Sequence, residues 1–300
     1  MQEDLYELNA LVEYFNFKKE PSCGSRCIDM GRTHSAPNSQ YPPYPEKLPY
    51  VYQEVVAGRR LAELHLVYVD SGSGWYKNDL GDSFKVNAGT ALLLYPNVYH
   101  SYAPDTDTGW SEFWLGCDGS YPSWLIAEDA FKNKNTPTRV GRFQGLGEDF
   151  RQLCALAASK HSPAIKSQLL GGMINRLLGR MLVIQDTLST HHREPGRNAV
   201  EKAIEYLHDQ LEADIDMQTL SEVTGIRYGK LSRLFQTVTG MTPHQYYLEL
   251  KIKKAVDLLR SGWSVKETSY HLCFDSPYYF SRLFKKKTGL SPKNCKERNT

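Results

Sequence analysis

Two arginines occupy equivalent places in a repeated phrase. Leu231-Ser-Arg-Leu-Phe235 and Phe280-Ser-Arg-Leu-Phe284 agree at four of five positions, and Thr239-Gly-Met-Thr-Pro243 is followed by Thr288-Gly-Leu-Ser-Pro292 at the same offset of 49 residues. An arginine can bond guanine through two parallel hydrogen bonds, worth ~1–3 kcal/mol of discrimination. Leu231, Leu234 and Phe235 in one copy, and Phe280, Leu283 and Phe284 in the other, recur so as to face a core. Ser232, Arg233 and Gln236, then Tyr278, Ser281, Arg282, Lys285 and Lys286, are left outward as candidate DNA contacts. Lys285, Lys286 and Lys287 read as phosphate contacts, which position a protein without specifying sequence. The plain alternative is a helical bundle with a basic surface. Two matched copies favour the DNA reading over charge alone.

A second set of residues suits carbohydrate chemistry. Residues 41–124 hold ten of the 19 Tyr and four of the five Trp. Aromatic faces stack on apolar ring surfaces, while hydroxyls and charged groups bond sugar hydroxyls. Glu112 and Trp114 are two apart and share one face of a strand. Metal chemistry is not expected: His65 and His100 stand apart, no His-x-His occurs, and a metal site needs three or more ligands. Cys23-x-x-x-Cys27 has no second Cys/His pair nearby and His191-His192 stands alone, so both read as structural or incidental. There is no phosphate-binding loop, dinucleotide fingerprint or nucleophile elbow. Neither a cofactor nor an enzyme activity is expected.

The elements that must position these residues follow from the pattern. A chain of 300 residues with 41% hydrophobic and 23% charged residues suggests two globular domains. Its apolar runs fall short of the ~18–20 residues of a membrane span. With no visible secretory signal, a cytoplasmic location with reduced cysteines is expected. Between 50 and 116, short strands (Tyr50–Ala57, Ala62–Asp70, Ser83–Val86, Ala91–Tyr95, Trp110–Leu115) alternate with Gly and Pro turns, including Ser71-Gly-Ser-Gly74. That spacing predicts a sandwich or barrel. From Glu148 the period becomes helical. Ile165, Leu169, Leu170, Met173, Ile174, Leu177, Leu178 and Met181 form a wide apolar stripe, read as a dimerisation surface because an unpartnered stripe needs a cover. Residues 185–198 read as a linker.

Beyond it, short helices over Thr219–Gly225 and Glu267–Cys273 precede the two repeats, each pair forming a helix-turn-helix. The Pro243–Arg260 helix, about 27 Å long at 1.5 Å per residue, joins them. Two such units can enter neighbouring major grooves one DNA turn apart, roughly 34 Å. Residues 197–300 carry 17 Lys and Arg against 12 Asp and Glu, while residues 1–196 carry 19 against 22. The asymmetry points to an anionic partner for the C-terminal half.

Phe274-Asp-Ser-Pro-Tyr-Tyr-Phe-Ser-Arg-Leu-Phe-Lys-Lys-Lys-Thr-Gly-Leu-Ser-Pro292 resembles the signature of the AraC/XylS family of bacterial transcription regulators, over about residues 198–296. The resemblance implies two helix-turn-helix units, double-stranded promoter DNA as partner, and mostly activation through RNA polymerase. The chain departs from the family at several positions, among them Asn294-Cys295, which replaces a terminal Tyr-Arg. Cys273 stands where a Gly is usual. Arg227 replaces a Ser cap, costing ~1 kcal/mol. Gly229 falls at a base-contacting position, costing the helix up to ~1 kcal/mol. Ser276 and Pro277 open the second copy well. The second unit is therefore expected to be the more stable and to read more bases.

Residues 48–118 resemble the cupin-like sensor of sugar-responsive members of the family, through Leu66–Trp75, Val86–Tyr102 and Gly109–Trp114. That likeness implies effector contacts at Tyr102, Glu112 and Trp114, and at Arg59 or Arg60. The expected architecture is α+β with two domains: an arm over 1–47, a cupin-like β-barrel with dimerisation helices over 48–184, a linker over 185–198 and an all-α DNA-binding domain over 199–300, its helix-turn-helix units at about 217–239 and 265–288. The arm, with Tyr41-Pro-Pro-Tyr-Pro45, is read as a closure over the pocket. The expected protein is a homodimeric, carbohydrate-controlled activator. The alternatives are a sugar-isomerase-like cupin enzyme on a DNA anchor and a constitutive architectural DNA binder.

Overall fold

The computed structural model describes residues 10–17, 24–43, 49–131, 136–142, 145–190 and 195–297. Cys23 and His191-His192 lie outside them. The chain divides into two compact units, 1–192 and 193–300.

The first unit is built on antiparallel strands: β1 (Ala10–Asn16), β2 (Arg26–Ser35), β3 (Leu64–Lys77), β4 (Ser83–Asn87), β5 (Thr90–Leu94), β6 (Ser101–Pro104), β7 (Trp110–Asp118) and β8 (Thr138–Arg139). The order is β1-β2-β7-β3-β5-β8, with β4 and β6 also paired to β3. One half of β3 pairs with β5 and β7, and Ser73–Lys77 pairs with β4 and β6. The strand therefore belongs to both walls of a curled sheet. Ser71-Gly-Ser-Gly74 is thus not the turn the sequence suggested. It is the bend of one long strand, where the register shifts between Val69 and Ser71. Gly72 has φ +78°, and a Cβ there would lie 2.1 Å from the Gly109 carbonyl oxygen. The glycines permit close backbone approach at a bulge instead of ending the strand.

Two further expectations change. Residues 50–57 begin with a short helix, α1 (Tyr50–Gln53), not a strand. Its turn directs Tyr52 and Val55, three apart, into the same core. The segment 1–47 is not simply an arm, because β2 is a central strand paired on both sides.

Alternation along the strands splits the core in two. Leu66, Tyr68, Phe113, Leu115 and Cys117 face outward against helices α2 (Ser120–Ala127), α3 (Leu146–Ala158) and α4 (Pro163–Thr190). Val67, Val69, Leu92, Leu94, Trp110 and Trp114 face the interior of the curl, with Tyr76 and Tyr102 opposite. On α4, Leu170, Ile174, Leu177, Leu178 and Met181 are fully buried against their own domain. The wide stripe is therefore mostly consumed internally. Its exposed remainder is Ile165 and Leu169, and Gly172 and Val183 of the same helix are exposed as well. The 185–198 region is also less of a linker than its polarity suggested. The α4 helix runs to Thr190, with Gln185 buried and donating to Thr138 Oγ1 at 3.4 Å, and the next helix begins at Pro195.

The second unit is helical throughout its described residues: α5 (Pro195–Asp209), α6 (Thr219–Thr224), α7 (Tyr228–Thr239), α8 (Pro243–Arg260), α9 (Val265–His271), α10 (Pro277–Thr288) and α11 (Pro292–Glu297). The α8 helix has the bounds read from sequence and opens with a capping box between Thr242 and Gln245.

Candidate effector pocket and candidate nucleic-acid interface

The interior of the first unit gathers polar groups onto an aromatic surface. Trp110, Glu112 and Trp114 alternate on β7 and so point the same way. Thr33 pairs with Glu112 across the β2–β7 ladder. Glu112 is 4% exposed. Its Oε1 accepts from Thr33 Oγ1 at 3.0 Å and from the Tyr41 hydroxyl at 2.6 Å. Burial pushes the carboxyl up to about 6, against the pull of the Tyr41 and Thr33 hydroxyls and the Arg59 charge. Glu112 Oε2, Trp110 Nε1 and Trp114 Nε1 are buried without a hydrogen-bond partner among the described residues. The Trp110 indole stands near enough to favour the charged Glu112, but outside bonding geometry.

Arg59 enters the same interior from the chain after α1. It pairs with His100 through both backbone amides. Its guanidinium donates to the Tyr102 hydroxyl at 3.1 Å and lies 4.7 Å from the Tyr52 ring centre. Burial and the neighbouring Arg59 push His100 down to about 3. Its imidazole is therefore neutral near pH 7, and it stacks on Tyr102 at 6.2 Å. The Tyr52 hydroxyl donates to Asp29 Oδ2 at 2.5 Å and lies 2.9 Å from His65 Nε2. A Cβ at Gly31 would meet the Trp114 ring at 2.5 Å, and one at Gly116 would meet His65 Nε2 at 2.4 Å. These two glycines make room for the ring and the imidazole.

Of the five sequence-selected effector residues, the structure brings four together: Arg59, Tyr102, Glu112 and Trp114. Arg60 is exposed, with Nη1 donating to the Asn97 carbonyl at 2.5 Å and the guanidinium over Tyr99. Adjacent residues of an extended segment point to opposite sides, so only one of the two arginines can enter. Sequence reasoning named Tyr41 only within the segment read as closing over the pocket, where its hydroxyl indeed meets Glu112, and missed Asp29, Thr33, Tyr52, His65 and Trp110 as members of this interior. Trp110 was findable from the same alternation that linked Glu112 to Trp114. A separate cleft of about 420 Å³, lined by residues including Tyr14, Phe15, Phe17, Lys166 and Leu170, collects none of the five sequence-selected effector residues.

In the second unit, α6 and α7 form one helix-turn-helix and α9 and α10 the other. Leu231, Phe235, Phe280 and Phe284 are fully buried, as their spacing demanded, and Leu234 and Leu283 partly so. Arg233, Gln236, Arg282, Lys285 and Lys286 are exposed, and Tyr278 is 79% exposed. Ser232 and Ser281 are partly buried, the latter donating to the Pro277 carbonyl at 2.7 Å. Lys287 departs from the phosphate reading, since it forms an ion pair with Glu249 on α8. Two helix-turn-helix units presenting cations outward, beside a separate domain with a polar, aromatic-lined interior, define a regulator class.

Comparison with known proteins gives the class its family. The AraC-like ligand binding domain model matches residues 52–173 and a helix-turn-helix domain model matches 220–298. The MmsAB operon regulatory protein of Pseudomonas aeruginosa is 30% identical over 85% of this chain and 83% of its own. The arabinose operon regulatory protein of Salmonella typhimurium is 26% identical over 72% of this chain and 77% of its own. A solved structure of wild-type ToxT from Vibrio cholerae covers 98% of this chain and 96% of its own at 13% identity, with a TM-score of 0.34. The chain belongs to the AraC family of DNA-binding transcription regulators. It joins an AraC-like ligand-binding domain to a helix-turn-helix region, and it is a regulator, not an enzyme. No helix among the described residues is long and apolar enough to cross a membrane.

Proposed function

We propose that the chain is a carbohydrate-controlled activator whose effector binds inside the curled sheet. The supporting observation is the set of buried polar atoms on β7 left unpartnered among the described residues: the acceptor Glu112 Oε2 and the donors Trp110 Nε1 and Trp114 Nε1. A buried polar group left unmatched costs ~1–3 kcal/mol, and sugar hydroxyls both donate and accept. The rings of Trp110, Trp114 and Tyr102 supply stacking faces. Arg59 and Tyr102 complete the polar set.

In this reading, effector binding changes how promoter DNA is engaged in the cytoplasm. Arg233 and Arg282, with Ser232, Gln236, Tyr278 and Ser281, meet base edges, while Lys285 and Lys286 meet phosphates. The exposed strip Ile165, Leu169, Gly172 and Val183 of α4 pairs two copies, and the DNA-bound dimer recruits RNA polymerase. Regulation requires an effector affinity that differs between two states, typically by 1–3 kcal/mol.

The test is a thermal-shift panel on the full chain with pentoses, hexoses, uronic acids and disaccharides. A true effector at 100 times its dissociation constant adds ~2.7 kcal/mol. The shift should vanish in Glu112→Ala and should change promoter occupancy. No response to any sugar sinks the carbohydrate assignment and leaves the DNA-binding assignment in place.

A further inference from the structure

The carboxylate that would receive the effector is already occupied by the protein itself. The strap of residues 36–43 leaves the end of β2 and is rooted by the Asn38 N–H donating to the Thr106 carbonyl at 2.7 Å. Ser39 Oγ donates to the Ala36 carbonyl at 2.7 Å, and Pro42 and Pro43 are buried. Between these points the strap turns Tyr41 inward. The Tyr41 ring meets Trp110 edge-on at 5.8 Å and lies 6.4 Å from Tyr102. Its hydroxyl donates to Glu112 Oε1 at 2.6 Å. The phenol thus packs against two of the aromatic rings a sugar would meet and supplies the hydroxyl a sugar would supply.

The two hydrogen bonds to Glu112 Oε1 differ in origin. Thr33 belongs to β2, held on both sides by ladder bonds. Tyr41 comes from an irregular segment outside the ladder. An incoming hydroxyl can replace the second without disturbing the sheet. Burial also holds the Tyr41 phenol well above its usual range, with the Glu112 charge acting in the same direction, so it remains a neutral donor.

We propose that Tyr41 is an internal competitor for the effector's place, and that effector binding displaces the strap from the interior. The inference rests on the reading of the curled-sheet interior as the effector site. A binding-competent state populated one time in ten raises an apparent dissociation constant about tenfold. The displaced strap would be the first part of the chain to register the ligand.

The experiment compares the full wild-type chain, Tyr41→Phe and Thr33→Val. Each is titrated calorimetrically with whichever sugar of the panel stabilises it, and backbone amide exchange at residues 36–41 is followed with and without that sugar. Tyr41→Phe is expected to bind the sugar about tenfold more tightly, because its ring no longer holds the carboxylate. Thr33→Val, which removes the sheet's own bond to the same oxygen, is expected to bind it more weakly. In the wild type, the strap amides should exchange about tenfold faster once the sugar is bound. Equal or weaker binding by Tyr41→Phe, or a strap still protected in the complex, overturns the competition and leaves the effector site standing. If no sugar stabilises any of the three chains, the effector reading fails and takes the competition with it.

Discussion

The two helix-turn-helix units share a sequence phrase but solve its two difficult positions in opposite ways. The first unit makes its turn with Gly225, at φ +70°, where glycine meets no steric penalty. Its second helix, α7, then starts from Arg227 with no side-chain cap and carries an exposed Gly229 in its first turn. The second unit reverses this. The α10 helix begins with Ser276, whose hydroxyl accepts from the Tyr279 N–H at 3.1 Å, and Pro277 follows. The turn before it is made by Cys273 at φ +48°, a region costly for residues with a Cβ.

Compensation surrounds that cysteine. Its thiol donates to the Glu212 carbonyl at 3.4 Å, and its carbonyl accepts from Lys251 Nζ at 3.4 Å. Lys251 is 4% exposed and lies 4.5 Å from the Tyr247 ring centre, with its ammonium held below the usual lysine range by burial. The second unit also buries Thr268 Oγ1 and Ser269 Oγ without partners among the described residues. Capping and turn strain are therefore separate quantities. A well-begun recognition helix can follow a strained turn if the surrounding helices hold that turn in place.

The largest expected effect that could break this contrast is on DNA. Arg282→Ala should weaken binding to the protein's own promoter by about 10–100-fold at fixed salt, corresponding to ~1–3 kcal/mol. Arg233→Ala, on the helix that presents Gly229, should cost less. Mobility-shift titrations of both variants on one fragment decide the order, and an equal or larger loss from Arg233→Ala reverses it.

Cys273→Gly measures the cost of the left-handed turn. Removing a left-handed non-glycine residue recovers ~1–2 kcal/mol, partly offset by the lost thiol contact. A higher urea midpoint is expected for the full chain's C-terminal transition. A lower one would show that the thiol contact dominates.

Caps come next. Arg227→Ser should add ~1 kcal/mol, and Ser276→Ala should remove a similar amount. Denaturation of the pair checks both signs, and an unchanged midpoint in either case dissociates capping from the difference between units.

The smallest effect is Gly229→Ala. Apart from its chain neighbours and its own helix backbone, no described atom lies within 4 Å of a Cβ built there, so a gain of ~0.5–1 kcal/mol from helix propensity alone is expected. A loss would reveal a backbone role for Gly229 that the folded structure does not display.

The C-terminal domain was largely legible because its signals are local. Helical spacing placed Leu231 and Phe235 inward and Arg233 outward, and Pro243 and Ser276 marked their helix starts. The N-terminal domain was legible only in part, for a physical reason. Strand β2 presents Asp29, Gly31, Thr33 and Ser35 to the interior, and these are polar or small. A strand lining a polar pocket lacks the apolar alternation that betrays a strand, so residues 1–47 read as an arm. The same polar lining supplies Asp29 and Thr33 to the candidate site. Likewise, Tyr50 and Tyr52 alternate as a strand would, yet Pro49 leads into a helical turn there.

By itself the sequence determined the double helix-turn-helix, its caps and its outward cations, since each depends on residues within a turn or two of one another. It also determined that an aromatic-rich, strand-forming half precedes them. The tertiary structure alone decided which polar groups meet. Tyr41 and Glu112 are 71 residues apart, and Arg59 and Tyr102 are 43 apart. Strand register and the bend of β3 set those encounters, and neither is written in local periodicity. Tertiary structure likewise decided the fate of the α4 stripe, because an apolar face records only that it must be covered, and packing chose the protein's own sheet and α3 as the cover for most of it.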